Sequence, residues 1–507
     1  MSNNLNRRDF LKVTSLGATG MGALSMQLSN AKTSLAKPVG AAALRQGSPL
    51  RVKPVLVYSI YQRKEATSWR PWGGIHTEGD AAAEAGKIAQ ELKNLASGAD
   101  FAFEVLPVAR VSSPEQAAAA AGTEDCDTIL IYAAGGRREW IEALAGADKE
   151  SVMFLRHKSG PAYLWYEIAH PRFLRKQSDQ YREENMDVWD IVVDDYGELL
   201  WRLRALYGLK NILGTKIVAV GSAGGWGEGS KFGPQNARDI WKLDIKEIPY
   251  PELEPLIKKA LADKKVVDTA RQQTDQYLAQ KGVSLHTDKK FLVNAFVLTK
   301  VFRDLMDQAG APAFTINGCM STIIPIAQTT ACMCLSLIND EGLLAFCESD
   351  FVVIPSGILL HYISGKPSFL QDPTHPHNGV VTIAHCTAPR RMNGRDLEPV
   401  EIHTHFESDY GAAPKVNMRK GQVVTNLCPS FTSKKWLGFR GKIIDHPFYD
   451  ICRSQVDVQI EGDWRKLLEE MQGFHWMACY GDYLREVGYA LKKVGIGWEN
   501  ITTGKSA

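Results

Sequence analysis

The chain changes rhythm once, near Asn393, and that change narrows the folds open to it. Before it, short apolar runs alternate with helical stretches: residues 55–58, 103–106 and 128–132 read as strands, and 79–97 as an amphipathic helix rich in Ala, Glu and Lys. This is the pattern of a parallel, doubly wound α/β unit. A second unit is expected where helical text over 188–207 leads into a strand at 216–220, followed by a long helical stretch over 250–282. After Asn393 the segments 400–403, 415–418, 422–425 and 441–445 read as strands set off by Gly and Pro turns, and 464–471 and 482–494 as closing helices. A chain of 507 residues is also too long for one ordinary core. The expected order is an N-terminal α/β domain over 51–165, a second α/β domain over 166–395, and a β-rich domain with terminal helices over 396–507.

The first fifty residues stand apart. Asn6-Arg7-Arg8-Asp9-Phe10-Leu11-Lys12 matches the twin-arginine pattern, and a mild apolar stretch over 13–26 follows. Ser34-Leu35-Ala36 then puts small residues where a signal peptidase cuts. Residues 1–36 read as a twin-arginine signal peptide and 37–50 as a linker. The alternative is a frayed cytosolic N-terminus with a chance Arg-Arg pair. The export reading makes the twin-arginine machinery a partner and places the mature chain in the periplasm or outside the cell. Net charge is +2, near −1 once 1–36 are removed, so no broad attraction to phosphate backbones arises and nucleic acid is not an expected partner. The nine cysteines are odd in number, sit mostly in apolar runs and form no CxxC pair. In a chain that folds before export they are expected as reduced core thiols, with neither a disulfide framework nor a zinc ribbon.

Chemistry gathers late in the chain. Of twelve His, eight fall after residue 360: His361, His375, His377, His385, His403, His405, His446 and His475. Glu348 and Asp350 interrupt the otherwise apolar run 342–354, and Asp372 stands in similar text over 367–373. A buried carboxylate without a partner is costly, so each needs a metal, a cation or strong hydrogen bonds, with a turn cap as the competing role. His403 and His405 lie two apart on an expected strand, facing one side, where zinc chelation competes with a pocket or structural role. His375 and His377 sit in a Pro-rich loop and are expected to be exposed. The glycine-rich stretch 221–227 fits neither the phosphate-loop nor the dinucleotide spacing and reads as a flexible turn.

From Cys332 to His385 the sequence resembles the core of the L-fucose isomerase family and, more loosely, its arabinose isomerase relatives. The likeness rests on Leu335-Ser336-Leu337 in a Cys-containing helix, then Asn339-Asp340-Glu341-Gly342 and Cys347-Glu348-Ser349-Asp350. Phe369-Leu370-Gln371-Asp372 and Ala384-His385-Cys386 follow. Residues 473–482 resemble the family segment that carries the last metal ligand, and 415–445 its C-terminal barrel. The likeness covers most of 310–490 and is architectural over 50–300. It implies two doubly wound α/β domains followed by a C-terminal β-barrel-like domain, with metal ligands falling here on Glu348, Asp372 and His475.

Two carboxylates and one imidazole form a mostly oxygen site that suits Mn²⁺ or Mg²⁺. By resemblance, Glu348 and Asp372 are both ligands and proton carriers of a metal-dependent aldose–ketose isomerase that works through an enediol on a deoxy-sugar or pentose. Which of them performs which step stays open. His385 is expected either behind Asp372 or as a donor to a sugar hydroxyl. Trp72, His385, His405 and Trp476 are the candidate substrate-binding residues. Trp226 and Trp436 are further aromatics for which stacking on a sugar competes with core packing. Family members build trimers or hexamers in which one chain's N-terminal domain covers another's metal, so a homo-oligomer is expected, with Trp72 reaching a neighbouring site. Two alternatives keep the same residues: an epimerase or lyase on an oxidised or modified sugar, and a non-enzymatic sugar-binding protein.

Overall fold

Leu50–Val57, apolar except at Arg51 and Lys53, anchors a six-stranded parallel sheet. It pairs with Phe103–Val105, Ala109–Val111 and Thr128–Ala133, and Glu150–Leu155 and Ile191–Val193 continue the far side. Thr128–Ala133 is buried at every residue, as the interior strand of a parallel sheet covered on both faces must be. Helix Glu78–Gly98 begins where Thr77 and Asp80 cap each other's backbone N–H groups, and it turns Ala81, Ile88 and Leu92 inward. The computed structural model describes residues 47–70, 73–123, 125–163, 185–502 and 505–506, so the expected signal peptide, most of the linker and Trp72 lie outside the described residues. The sheet's edge strand Ile191–Val193 lies beyond residue 165, where the first domain was expected to end.

The second sheet has four parallel strands in the order Leu344–Cys347, Ala313–Ile316, Lys216–Val220, Asp244–Ile248. Its chain order reverses between Lys216–Val220 and Ala313–Ile316, and in such sheets the crevice beyond the carboxyl ends is the usual ligand site. The helical text over 250–282 forms two helices, Tyr250–Ala262 and Lys264–Leu278. Asp263 breaks them apart, and its side chain accepts from the N–H groups of Lys265 and Val266. Two α/β units with parallel sheets thus precede a closed antiparallel barrel.

Six strands make that barrel. Around the ring they run Val423–Pro429, Trp476–Tyr480, Phe369–Pro373, Val380–His385, Ser454–Ile460 and Lys435–Asp445, which pairs back onto Val423–Pro429. Phe369–Pro373 and Val380–His385 are barrel strands although they precede residue 396, the expected start of the β-rich domain. Helix Ile354–Ser364 comes directly before them, so the strand–helix alternation persists in the sequence up to the barrel's first strand. Val400–His405 instead joins a separate three-stranded sheet with Tyr410–Val416 and Val283–Leu285.

Helix Ile354–Ser364 is buried along its whole length. Gly357 permits this, because a Cβ there would come within 2.5 Å of the Phe346 ring and 2.7 Å of the Met477 side chain. One apolar cluster runs from the first sheet through this helix to Leu370 and Met477, while a second includes Phe369, Val381, Phe439, Val458 and Trp476. Neighbours in sequence fall in different clusters because successive strand residues point to opposite faces. Each such buried side chain contributes about 1.5–3 kcal/mol. All nine cysteines are unpaired, and Cys319 and Cys452 are the two with partial exposure. Among the described residues no single helix is long and apolar enough to cross a membrane.

Candidate metal centre

Glu348 is the first residue past strand Leu344–Cys347, at the carboxyl end of the second sheet. It and Ser349 adopt left-handed backbone angles, φ +62° and +49°. Non-glycine residues take that conformation at a cost of order 1–3 kcal/mol each, and such strain concentrates at functional sites. The turn is held by the Ser349 N–H donating to Thr315 Oγ1 at 3.1 Å. It is also held by the glycine-rich stretch: Gly224 N–H donates to Ser349 O at 3.2 Å, and Phe351 N–H to Gly224 O at 3.1 Å. The stretch expected as a flexible turn therefore acts as a buttress. Gly221 has φ +88°, and a Cβ there would sit 2.9 Å from Asn317 O.

The barrel supplies the facing wall. Gln371 pairs with Trp476 and Asp372 with Ala384, so Asp372, His475 and His385 arrive from three adjacent strand ends. His475 Nε2 lies 3.3 Å from Asp372 Oδ1 and 3.5 Å from Glu348 Oε2, and His385 Nε2 lies 3.6 Å from Glu348 Oε1. The structure thus brings Glu348, Asp372, His475 and His385 together from two different parts of the fold. Asp372 Oδ1, His385 Nε2 and His475 Nε2 are nevertheless buried without a hydrogen-bond partner. Orphaned donors and acceptors that face one another are costly unless something sits between them.

Asp350 explains how His475 is aimed. It is 2% exposed, accepts from Val352 N–H through Oδ1 at 3.0 Å, and accepts from His475 Nδ1–H through Oδ2 at 2.8 Å. It caps a turn and partners the imidazole at once. A carboxylate only accepts, so the proton belongs on Nδ1 and the other ring nitrogen faces Asp372 and Glu348. This carboxylate–histidine arrangement is the outer support that metal-ligating imidazoles ordinarily have. Nothing in the sequence separated this duty from a plain turn cap.

The charges are strongly coupled. Burial works against protonating His475, yet Asp350, Glu348 and Asp372 together push it up to about 10. Burial also disfavours the ionised form of Glu348, but His385 and His475 outweigh it and hold that carboxyl well below its usual range. Asp372 goes the other way: burial raises it, against the pull of the two imidazoles. A divalent cation would neutralise the carboxylates as those ring protons do, taking the place of the proton on His475 Nε2. Ligand atoms of Asp372, His385 and His475 all lie within 4.8 Å of one another, as do those of Cys347, Glu348 and His385. The residues present fit a metal, with more imidazole than the expected three-ligand set and with Cys347 as a donor that sequence reading did not consider.

An aromatic rim stands beside the centre. Trp226 Nε1–H donates to Glu348 Oε2 at 2.5 Å, and its ring stacks on Phe474 at 4.5 Å. The two are 44% and 45% exposed. The other tryptophans differ. Trp476 is fully buried, donating to Gln472 O at 3.3 Å and packing edge-on against Phe439, so it presents no face to a sugar. Strand alternation is the reason, since His475 faces the centre and its neighbour Trp476 must face away. Trp436 is likewise buried, against Trp241. His405 is buried with Nδ1 3.3 Å from Ser408 Oγ, and the pairing with the neighbouring strand shifts register between His403 and His405. His375 and His377 are exposed.

The sequence is 22% identical over 237 residues to sulfoquinovose isomerase from Alkalicoccus urumqiensis, a match covering 45% of this chain and 53% of that protein. The chain thus matches about half the length of that curated relative, a distant likeness to a sugar isomerase. No protein-family model matches the sequence. Among solved structures, the apo form of a dinucleotide forming acetyl-coenzyme A synthetase 1 from Ca. Korarchaeum cryptofilum aligns at 11% identity over 63% of this chain and 66% of that one. Its TM-score of 0.17 is too low to indicate a shared fold.

Proposed function

We propose that this protein is a divalent-metal-dependent aldose–ketose isomerase acting on a deoxy-sugar or pentose. The observation that carries the reading is the meeting of Glu348, Asp372, His385 and His475 around orphaned buried atoms. The distant likeness to a sugar isomerase supports it. Glu348, Asp372 and His475 would hold the ion, Mn²⁺ or Mg²⁺ by their mostly oxygen donor set, with His385 beside them. When bound, such an ion polarises a carbonyl oxygen and steadies the charge that develops on it.

The remaining work belongs to side chains. One of the two carboxylates carries a proton between adjacent sugar carbons while the other relays the hydroxyl proton. Asp350 keeps His475 in one tautomer and orientation throughout. Trp226 and Phe474 offer an apolar face for the sugar ring and help to exclude water from Glu348. The buried helix Ile354–Ser364 ties the Glu348 wall to the barrel wall, keeping the two halves of the centre in register.

Product analysis with metal-loaded protein and a panel of aldoses and ketoses, sulfoquinovose included, tests the reading. Interconversion with solvent deuterium entering at the carbon next to the carbonyl is expected. Formation of an epimer or a dehydrated product would favour the second reading, an epimerase or lyase using the same centre on a modified sugar. Tight sugar binding with no product at all would leave a binding protein. Export by the twin-arginine route and assembly into a trimer or hexamer belong to the same proposal. Arg7→Lys with Arg8→Lys is expected to trap uncut precursor in the cytoplasm, and light scattering of an active monomer would overturn the assembly.

A further inference from the structure

We infer that the three-stranded sheet carries a second cation site, formed by His286, Glu401 and His403 and suited to zinc or another borderline transition metal. It lies apart from the centre described above and does not rest on the isomerase reading. Strand Val283–Leu285 pairs in parallel with Val400–Ile402, and the His286 N–H donates to Ile402 O at 2.7 Å, fixing His286 beside residue 403. Glu401 and His403 lie two apart on one strand and point to one face. Ligand atoms of all three residues lie within 4.8 Å of one another.

The ligand atoms of the three side chains lie close together, and the near-parallel imidazoles must turn out of their stack before both in-plane lone pairs can meet on one ion. The imidazoles of His286 and His403 stack at 4.7 Å with an interplanar angle of 8°, a distance at which two protonated rings would repel. Glu401 is partly buried among Asn417, Lys415 and His403. Its two oxygens divide their partners: Oε1 takes Asn417 at 3.0 Å and Lys415 at 3.3 Å, while Oε2 faces His403 Nε2 at 3.3 Å. One oxygen is thus anchored and the other is directed at the imidazoles. The Ser284 hydroxyl lies 3.0 Å from His286 Nε2, an outer hydrogen bond of the kind that fixes a ligating ring.

Two imidazoles and one carboxylate make the donor set of a zinc site with an open position. The neighbouring Lys415 tempers affinity for any cation, and the hard cations would need more oxygen donors than Glu401 supplies.

The test uses the full mature chain, stripped with chelator, loaded with Zn²⁺ alone, dialysed and measured for metal per chain. Wild type is expected to hold about one ion per chain more than His286→Ala or Glu401→Gln. Glu348→Gln with Asp372→Asn should retain that ion. His286 is exposed, so its substitution tests the site without disturbing a core, and unchanged thermal melting of the stripped proteins will confirm this. Equal zinc content in wild type, His286→Ala and Glu401→Gln overturns the proposal. Loss of zinc only in the Glu348/Asp372 variant overturns it as well. Loss only in the His286 and Glu401 variants supports it while counting against the first centre.

Discussion

The centre at Glu348 and the cluster at His286 use similar side chains in opposite settings. In the first, His475 and His385 are nearly inaccessible, and the Nε2 atom of each, with Asp372 Oδ1, lacks a hydrogen-bond partner. In the second, His286 is exposed and Glu401 is already anchored by Asn417 and Lys415. Unmet polar groups cost most where water cannot reach them, so an empty centre strains the fold far more at the first site than at the second. Burial, more than residue type, separates a site on which the fold depends from one on which it does not.

The largest effects should come from the buried side of that contrast. Glu348→Gln and Asp372→Asn are each expected to lower turnover by roughly 10²–10⁴-fold with the fold retained, since each keeps side-chain size and removes a proton carrier. A variant of either with near wild-type turnover would break the assignment of these residues to catalysis. Chelation comes next. An ion present at a hundred times its dissociation constant stabilises the folded state by about 2.7 kcal/mol, so stripping it should lower the melting temperature and adding back Mn²⁺ should restore it. A melting temperature indifferent to chelator would mean that the orphaned atoms do not hold a metal.

Asp350→Asn probes the support behind His475. Loss of such a partner ordinarily weakens metal binding about 10–100-fold. Metal titration of the stripped protein checks this, and Asp350→Glu should recover part of the loss. Trp226→Ala removes the aromatic face and one hydrogen bond to Glu348. KM is expected to rise by about tenfold, in line with the 0.5–1.5 kcal/mol that aromatic contacts contribute. The smallest effect belongs to the exposed cluster: His286→Ala should leave turnover within about twofold of wild type, because substitutions far from a site act nearly independently.

The sequence made the buried centre visible for a physical reason. Carboxylates inside apolar text, such as Glu348 and Asp350 between the run ending at Cys347 and the run starting at Phe351, announce a cost that something must offset. The same reasoning has no purchase on His286. It stands in polar text, and its neighbour His403 is distant along the chain, so only the parallel pairing of Val283–Leu285 with Val400–Ile402 brings them together. His403 and His405 illustrate the complementary limit, since the partner strand shifts register between them and no residue type announces it. The α/β rhythm was legible because buried parallel strands are apolar throughout, and strand 216–220 appears with the bounds its sequence suggested. The barrel's first two strands were not, since helix Ile354–Ser364 prolongs that rhythm to their edge. Trp226, exposed in a glycine-rich turn, had no local mark that it would reach Glu348.

Strand Trp476–Tyr480 closes the barrel between Val423–Pro429 and Phe369–Pro373, and His475 immediately precedes it. During synthesis these pieces arrive together and late. A chain stopped short of residue 475 would lack the imidazole and leave two strand edges open, ready to pair with another chain. No shorter chain offers a closed barrel without its imidazole, because residue 475 is made before the strand that follows it. Truncated products should therefore be found among aggregates and protease substrates, and not as soluble protein able to hold metal poorly.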